Sequence, residues 1–95
     1  MMRAIHLGEV LREEFLSPLG ISASELARCM SVPPNRVTGL LREERGVTAE
    51  TALRLARALG TTPELWMSLQ AVYDPSIARI ESGKAIAKEV TQVKR

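Results

Sequence analysis

The stretch Ile21 to Leu41, ISASELARCMSVPPNRVTGLL, constrains the fold of this chain more than any other. Leu26, Ala27 and Met30 recur at helical spacing, as do Val37, Leu40 and Leu41, and only Ser31, Val32 and Pro33 separate the two helical patterns. A gap that short admits a tight turn and little else, so the two helices must pack on one another, with Val32 in their common core. Pro33-Pro34 predicts the start of the second helix, because proline is tolerated in a first turn where its missing N–H would have no partner. In that register Asn35, Arg36, Thr38 and Arg42 face outward, all of them hydrogen-bonding side chains.

The rest of the chain reads as helices arranged around this pair. Residues 1–6 predict a short arm, and Val10, Leu11, Phe15 and Leu16 predict a helix between Gly8 and Pro18. Glu9, Arg12, Glu13 and Glu14 form its solvated face, and His6 before it suits a capping or surface role. Gly20 releases a turn, and Ser22 with Glu25 predicts a capping box that opens the next helix. After the central pair, 42–47 is a polar loop. Thr48, Glu50 and Thr51 then open a helix carrying Ala52, Leu53, Leu55, Ala56 and Leu59, which Gly60 ends. Thr62-Pro63-Glu64 starts a fifth helix running to about Tyr73. Asp74-Pro75 repeats that start signal and predicts a further short helix, interrupted at Ser82-Gly83. Residues 1–81 then form one domain and 82–95 a basic tail that is a frayed amphipathic helix, an arm ordered by a partner, or disordered.

Composition narrows the class. With 95 residues, 45% hydrophobic and only Phe15, Trp66 and Tyr73 as aromatics, the chain predicts an all-α domain of five helices with a short C-terminal helical extension. A net charge of +2 argues weakly for nucleic acid, and the clustering of Arg28, Arg36, Arg42 and Arg45 strengthens it. Cys29 is the only cysteine, so no intramolecular disulfide is implied. No activated nucleophile, metal cluster or phosphate-cradling glycine loop is present, so neither an enzyme nor a cofactor is expected. Without an apolar signal region or a run of membrane-spanning length, the expectation is a soluble, cytoplasmic protein.

Ala27, Ser31, Val37 and Leu40 occupy the small, turn and apolar packing positions of phage-type repressors, and the chain resembles that helix-turn-helix family. It resembles more closely the HigA-type antitoxin branch, through HLGEVLREEFLSPLG at 6–20, VPPNRV at 32–37, RGVTAETALRLARALGTTPELW at 45–66 and LQAVYD at 69–74. The chain departs from the pattern in three places. Ser31 stands at the usual glycine of the turn, Leu7 at the usual proline after the histidine, and Arg42-Glu43-Glu44 where many relatives have Asn-Gly-Lys. The resemblance implies a type II antitoxin that represses its own operon and silences a RelE-like ribonuclease toxin. A helix-turn-helix repressor or protein-interaction module without a toxin is the alternative.

Geometry assigns candidate roles. The N-terminal half of the second helix would present Pro34, Asn35, Arg36 and Thr38 to base edges in a major groove, with Asn35 and Arg36 as the readers and Pro34 against a thymine methyl. Ser24, Arg42 and Arg45 would hold phosphates, the alternatives being a plain helix start at Ser24 and a merely solvated face at Arg36 and Arg42. A single copy reads few base pairs, so a homodimer on two half-sites is expected. Its interface is placed at Trp66, Leu69, Tyr73, Ile77 and Ile80, with Met67 nearby, while Trp66 and Leu69 also suit the core.

Overall fold

The computed structural model describes residues 3–94; Met1 and Met2 of the predicted arm and Arg95 of the predicted tail lie outside the described residues. Five helices follow one another, with no strand among the described residues, as the all-α reading expects. The first, α1, runs through three consecutive stretches, Leu7–Val10, Leu11–Leu16 and Ser17–Leu19. Then come α2 (Ala23–Met30), α3 (Pro34–Leu41), α4 (Ala49–Leu59) and α5 (Pro63–Glu89).

Local chemistry explains where each helix starts. His6 Nδ1 accepts the Gly8 N–H at 2.9 Å, and its buried ring meets Tyr73 edge-on with centroids 4.8 Å apart, so of its two expected roles it takes capping. Ser22, Thr48 and Thr62 each accept from a backbone N–H three residues on, satisfying donors that the first helical turn leaves unpaired. Pro33 is the N-cap of α3 and Pro34 its first residue, in line with the two-proline start. The middle stretch of α1 is wound wider, with the Ser17 N–H bonded to Arg12 O. In an α-helix residues five apart diverge by about 140°, and the wider turn brings Leu11 and Leu16 to one side, where both are buried.

Helix ends show how the turns are built. Gly20, Ser31, Glu43 and Gly60 all adopt the left-handed conformation, with φ between 57° and 70°. After α2, Ser31 N–H bonds Arg28 O at 3.1 Å and Val32 N–H bonds Ala27 O at 3.0 Å; after α3, Glu43 N–H bonds Leu40 O at 3.0 Å and Glu44 N–H bonds Gly39 O at 2.9 Å. These are Schellman pairs, whose left-handed residue is usually glycine. Ser31 and Glu43 therefore keep the shape of a glycine turn and carry its strain in a side-chain-bearing residue.

The core is one cluster made by Leu7, Leu11 and Leu16 of α1, Leu26, Ala27 and Met30 of α2, Val37 and Leu40 of α3, Val47, Ala52 and Leu55, and Trp66. Val47 thus belongs to the core and not to a polar loop. At Gly8, where α1 crosses α3, an added Cβ would run into the Leu40 carbonyl, so the absence of a side chain sets how closely these two helices approach. Arg12 Nη1 donates to Leu41 O at 3.1 Å, tying the outer face of α1 to the end of α3.

Three expectations about the C-terminal third are corrected. Trp66 is not an interface residue: it is fully buried, 5.3 Å from Phe15 between ring centroids, and its Nε1–H donates to Thr61 Oγ1 at 2.8 Å. Leu69 packs half-buried against the same core, and Tyr73 and Ile77 are also half-buried, leaving Ile80 exposed. Nor does α5 stop at Tyr73 and restart at Pro75. It is one 27-residue helix that passes through Pro75, Ser82 and Gly83. The Asp74 carboxylate, expected to cap a new helix, accepts instead from Gln70 Nε2 at 2.6 Å one turn back, and Ser76 Oγ donates to Val72 O at 2.8 Å. Residues 84–89 continue this helix, so the boundary expected between 81 and 82 falls within it. Beyond the globular part α5 gives the molecule its long dimension, 53 Å against 28 and 20 Å, and exposes Val72, Ile80 and Ile86.

Candidate nucleic-acid interface

Helix α3 is held from beneath and open above. Val37 and Leu40 are buried under it and Gly39 is covered by the Arg45 side chain, while Pro34 and Asn35 in its first turn are exposed and Arg36 and Thr38 are half-buried. Its two ends are fixed by the Pro33-Pro34 start and by the bonds that turn the chain at Glu43, so the outward residues sit on a scaffold that does not depend on them. A structured helix with a polar N-terminal half and an apolar underside fits a major groove.

Beside this face lies a cleft of about 530 Å³ lined by Arg36, Arg45, Gly46, Thr48, Glu50 and Thr51. Arg45 reaches it by lying along α3 at Gly39, where an added Cβ would stand 2.9 Å from Arg45 Nε. The loop carrying Arg45 is pinned from behind, since Val47 N–H donates to Gln70 Oε1 at 2.8 Å and a Cβ on Gly46 would come within 2.5 Å of the same oxygen. The structure thus brings Arg36 and Arg45 to one cleft. Arg42, the C-cap of α3, and Ser24, in the first turn of α2, are exposed but do not line it. Arg42 and Arg45 make no ion pair among the described residues, which leaves both charges available to phosphate. Glu43 and Glu44 are also exposed, and their charges oppose that use.

Sequence reasoning missed Glu50 and Arg54. Arg36 Nη1 donates to Glu50 Oε1 at 3.1 Å; Glu50 Oε2 lies 3.9 Å from Arg54 Nη2, and Arg54 Nη1 donates to Met30 O at 2.8 Å. A first-turn acid fully accounted for Glu50 as a helix start, so nothing pointed further. The four-residue spacing to Arg54 was the only visible signal, and the contacts with Arg36 and Met30 are tertiary. At the start of α1, Arg3 pairs with Glu9 through two hydrogen bonds of 2.8 and 3.0 Å, which hold the Glu9 carboxyl below its ordinary range.

Comparison with known proteins places this geometry. Residues 11–66 match the Helix-turn-helix family. The chain is 49% identical over 77 residues to virulence-associated protein I of Dichelobacter nodosus, covering 81% of this chain and 71% of that protein. Over 73 residues it is 45% identical to antitoxin HigA-1 of Vibrio cholerae, covering 76% and 68%. The chain belongs to the helix-turn-helix family, in its HigA-type antitoxin branch. Antitoxin GraA superposes on it with a TM-score of 0.95 at 45% identity, covering 98% of this chain and all of that one. Pseudomonas aeruginosa antitoxin HigA, solved with the higBA promoter, gives 0.91 at 40%, covering 97% and 100%. The family match ends at Trp66, the last core residue, whereas both of these structures extend along α5 as well. The HigA-type fold therefore includes the projecting helix.

Proposed function

We propose that this chain is a sequence-specific DNA-binding antitoxin that acts as a homodimer, represses its own operon and neutralises a RelE-like ribonuclease toxin in the cytoplasm. The observation that carries the DNA reading is the exposed first turn of α3 beside a cleft with two arginines, in a fold whose relative was solved on a promoter. Asn35 and Arg36 meet base edges, Pro34 and Thr38 flank them, and Ser24, Arg42 and Arg45 contact phosphates. Two copies place two such helices about 34 Å apart, one turn of DNA. Their contact lies on the outer side of α5, where Val72 and Ile80 are 69% and 60% exposed, flanked by Tyr73 and Ile77. No helix among the described residues is long and apolar enough to cross a membrane, which suits this cytoplasmic role.

The toxin assignment follows from the branch, with a named antitoxin among the relatives. It is tested by reading the genes that flank this one and co-expressing the chain with any small ribonuclease-like frame found there. Co-purification and restored growth support it, and failure of both leaves a stand-alone repressor. A gel-shift titration on the chain's own promoter tests the DNA reading, with a shift at lower concentration than on unrelated duplex expected and equal shifts refuting it.

A further inference from the structure

We propose that Glu50 is the positioning residue for Arg36, fixing its guanidinium before DNA arrives so that it meets a base edge in one pose. The inference rests on the base-reading role of Arg36 given above. Glu50 engages Arg36 through Nη1 alone. The edge formed by Nε and Nη2 makes no hydrogen bond to protein among the described residues, and a guanidinium fork of this kind reads guanine O6 and N7 bidentately.

Glu50 is itself held. Its second oxygen faces Arg54, whose Nη1 is bonded to the Met30 carbonyl at the end of α2 and whose Nε is buried without a partner among the described residues. Arg54 is therefore anchored through Nη1 and buried at Nε, although its side chain is 39% exposed overall. One hydrogen bond thus joins Arg36 to Glu50 on α4 and another joins Arg54 to the backbone of α2, and a 3.9 Å ion-pair contact between Glu50 and Arg54 links the two.

A free arginine samples many rotamers, and ordering it opposes binding; one already held avoids part of that penalty. The Arg36–Glu50 pair is too exposed to matter much for folding, with Glu50 65% exposed, so its consequence falls on recognition. A carboxylate near DNA also repels phosphate, which predicts that its removal leaves non-specific affinity equal or slightly higher.

The test is fluorescence-anisotropy titration of the full chain against its own promoter and a scrambled duplex, for the wild type, Glu50→Ala, Glu50→Gln, Arg36→Ala and Arg36→Ala/Glu50→Ala, with circular dichroism confirming that each is folded at the assay temperature. Glu50→Ala should lower the ratio of specific to non-specific affinity about three- to tenfold. Glu50→Gln, which keeps an acceptor, should recover part of it. In the Arg36→Ala background, loss of Glu50 should change the ratio by less than about twofold. If Arg36→Ala lowers the ratio but Glu50→Ala leaves it unchanged or raises it, Glu50 is only a competing counter-ion and the positioning role is overturned while base reading stands. An unchanged ratio for Arg36→Ala removes the base-reading role and this inference with it.

Discussion

Replacing Ser31 with glycine should stabilise the protein although it removes atoms. Ser31 sits at φ 57° and ψ 47°, a conformation that costs a residue with a Cβ about 1–2 kcal/mol. Both Schellman bonds at this turn use backbone groups, so the substitution keeps them, and the serine hydroxyl is not needed for either. Against the relief stands the greater freedom of glycine in the unfolded chain, about 0.4–1 kcal/mol. The net gain is about 0.5–1 kcal/mol, which for a domain of this size raises the melting temperature by about 2–8 °C. Glu43→Gly, at φ 61° with the same bonding, should give a similar gain, and the two should add because the turns share no partner. Ser31→Ala keeps the Cβ and should gain nothing. Melting followed by far-ultraviolet circular dichroism decides the matter: a glycine variant no more stable than the alanine variant would refute the strain argument.

Trp66→Ala should cost about 3–5 kcal/mol in urea unfolding, because a fully buried ring and its bond to Thr61 are both lost. Ile80→Asp should change monomer stability by no more than about 0.5 kcal/mol, since the side chain is 60% exposed, yet shift sedimentation from dimer to monomer. The Glu9 carboxyl, held low chiefly by its hydrogen bonds to Arg3, should titrate by NMR below an ordinary glutamate, and Arg3→Ala should return it. Because its folded pKa is depressed, its stabilising contribution is present above the ordinary carboxylate range and is lost as pH falls through the folded value.

Helix starts were legible because they rest on contacts within three residues: Ser22, Thr48 and Thr62 each cap the N–H three positions on, and the sequence motif contains both partners. The fate of Asp74-Pro75 was not, since the same dipeptide opens one helix or lies within another according to what the aspartate bonds, and here Gln70 takes it and the helix continues. Trp66 was ambiguous for a related reason. A large apolar residue on an amphipathic helix faces core or partner depending on whether a neighbour such as Phe15 closes over it. Within the candidate site, the outward face of α3 followed from helical periodicity alone. The joining of Arg36 to Glu50 across fourteen positions, and the route of Arg45 past Gly39, depend on how the segment 42–48 sets α4 beside α3, which no local spacing encodes.

The central claim, that the first turn of α3 reads DNA, is tested most directly by comparing Arg36→Ala with wild type on the chain's own promoter and on a scrambled duplex at several salt concentrations. Loss of a base contact should reduce specific binding by about 1–3 kcal/mol, roughly five- to 150-fold, while non-specific affinity and the melting temperature change little. A variant whose operator and scrambled affinities fall together, or not at all, would contradict the account.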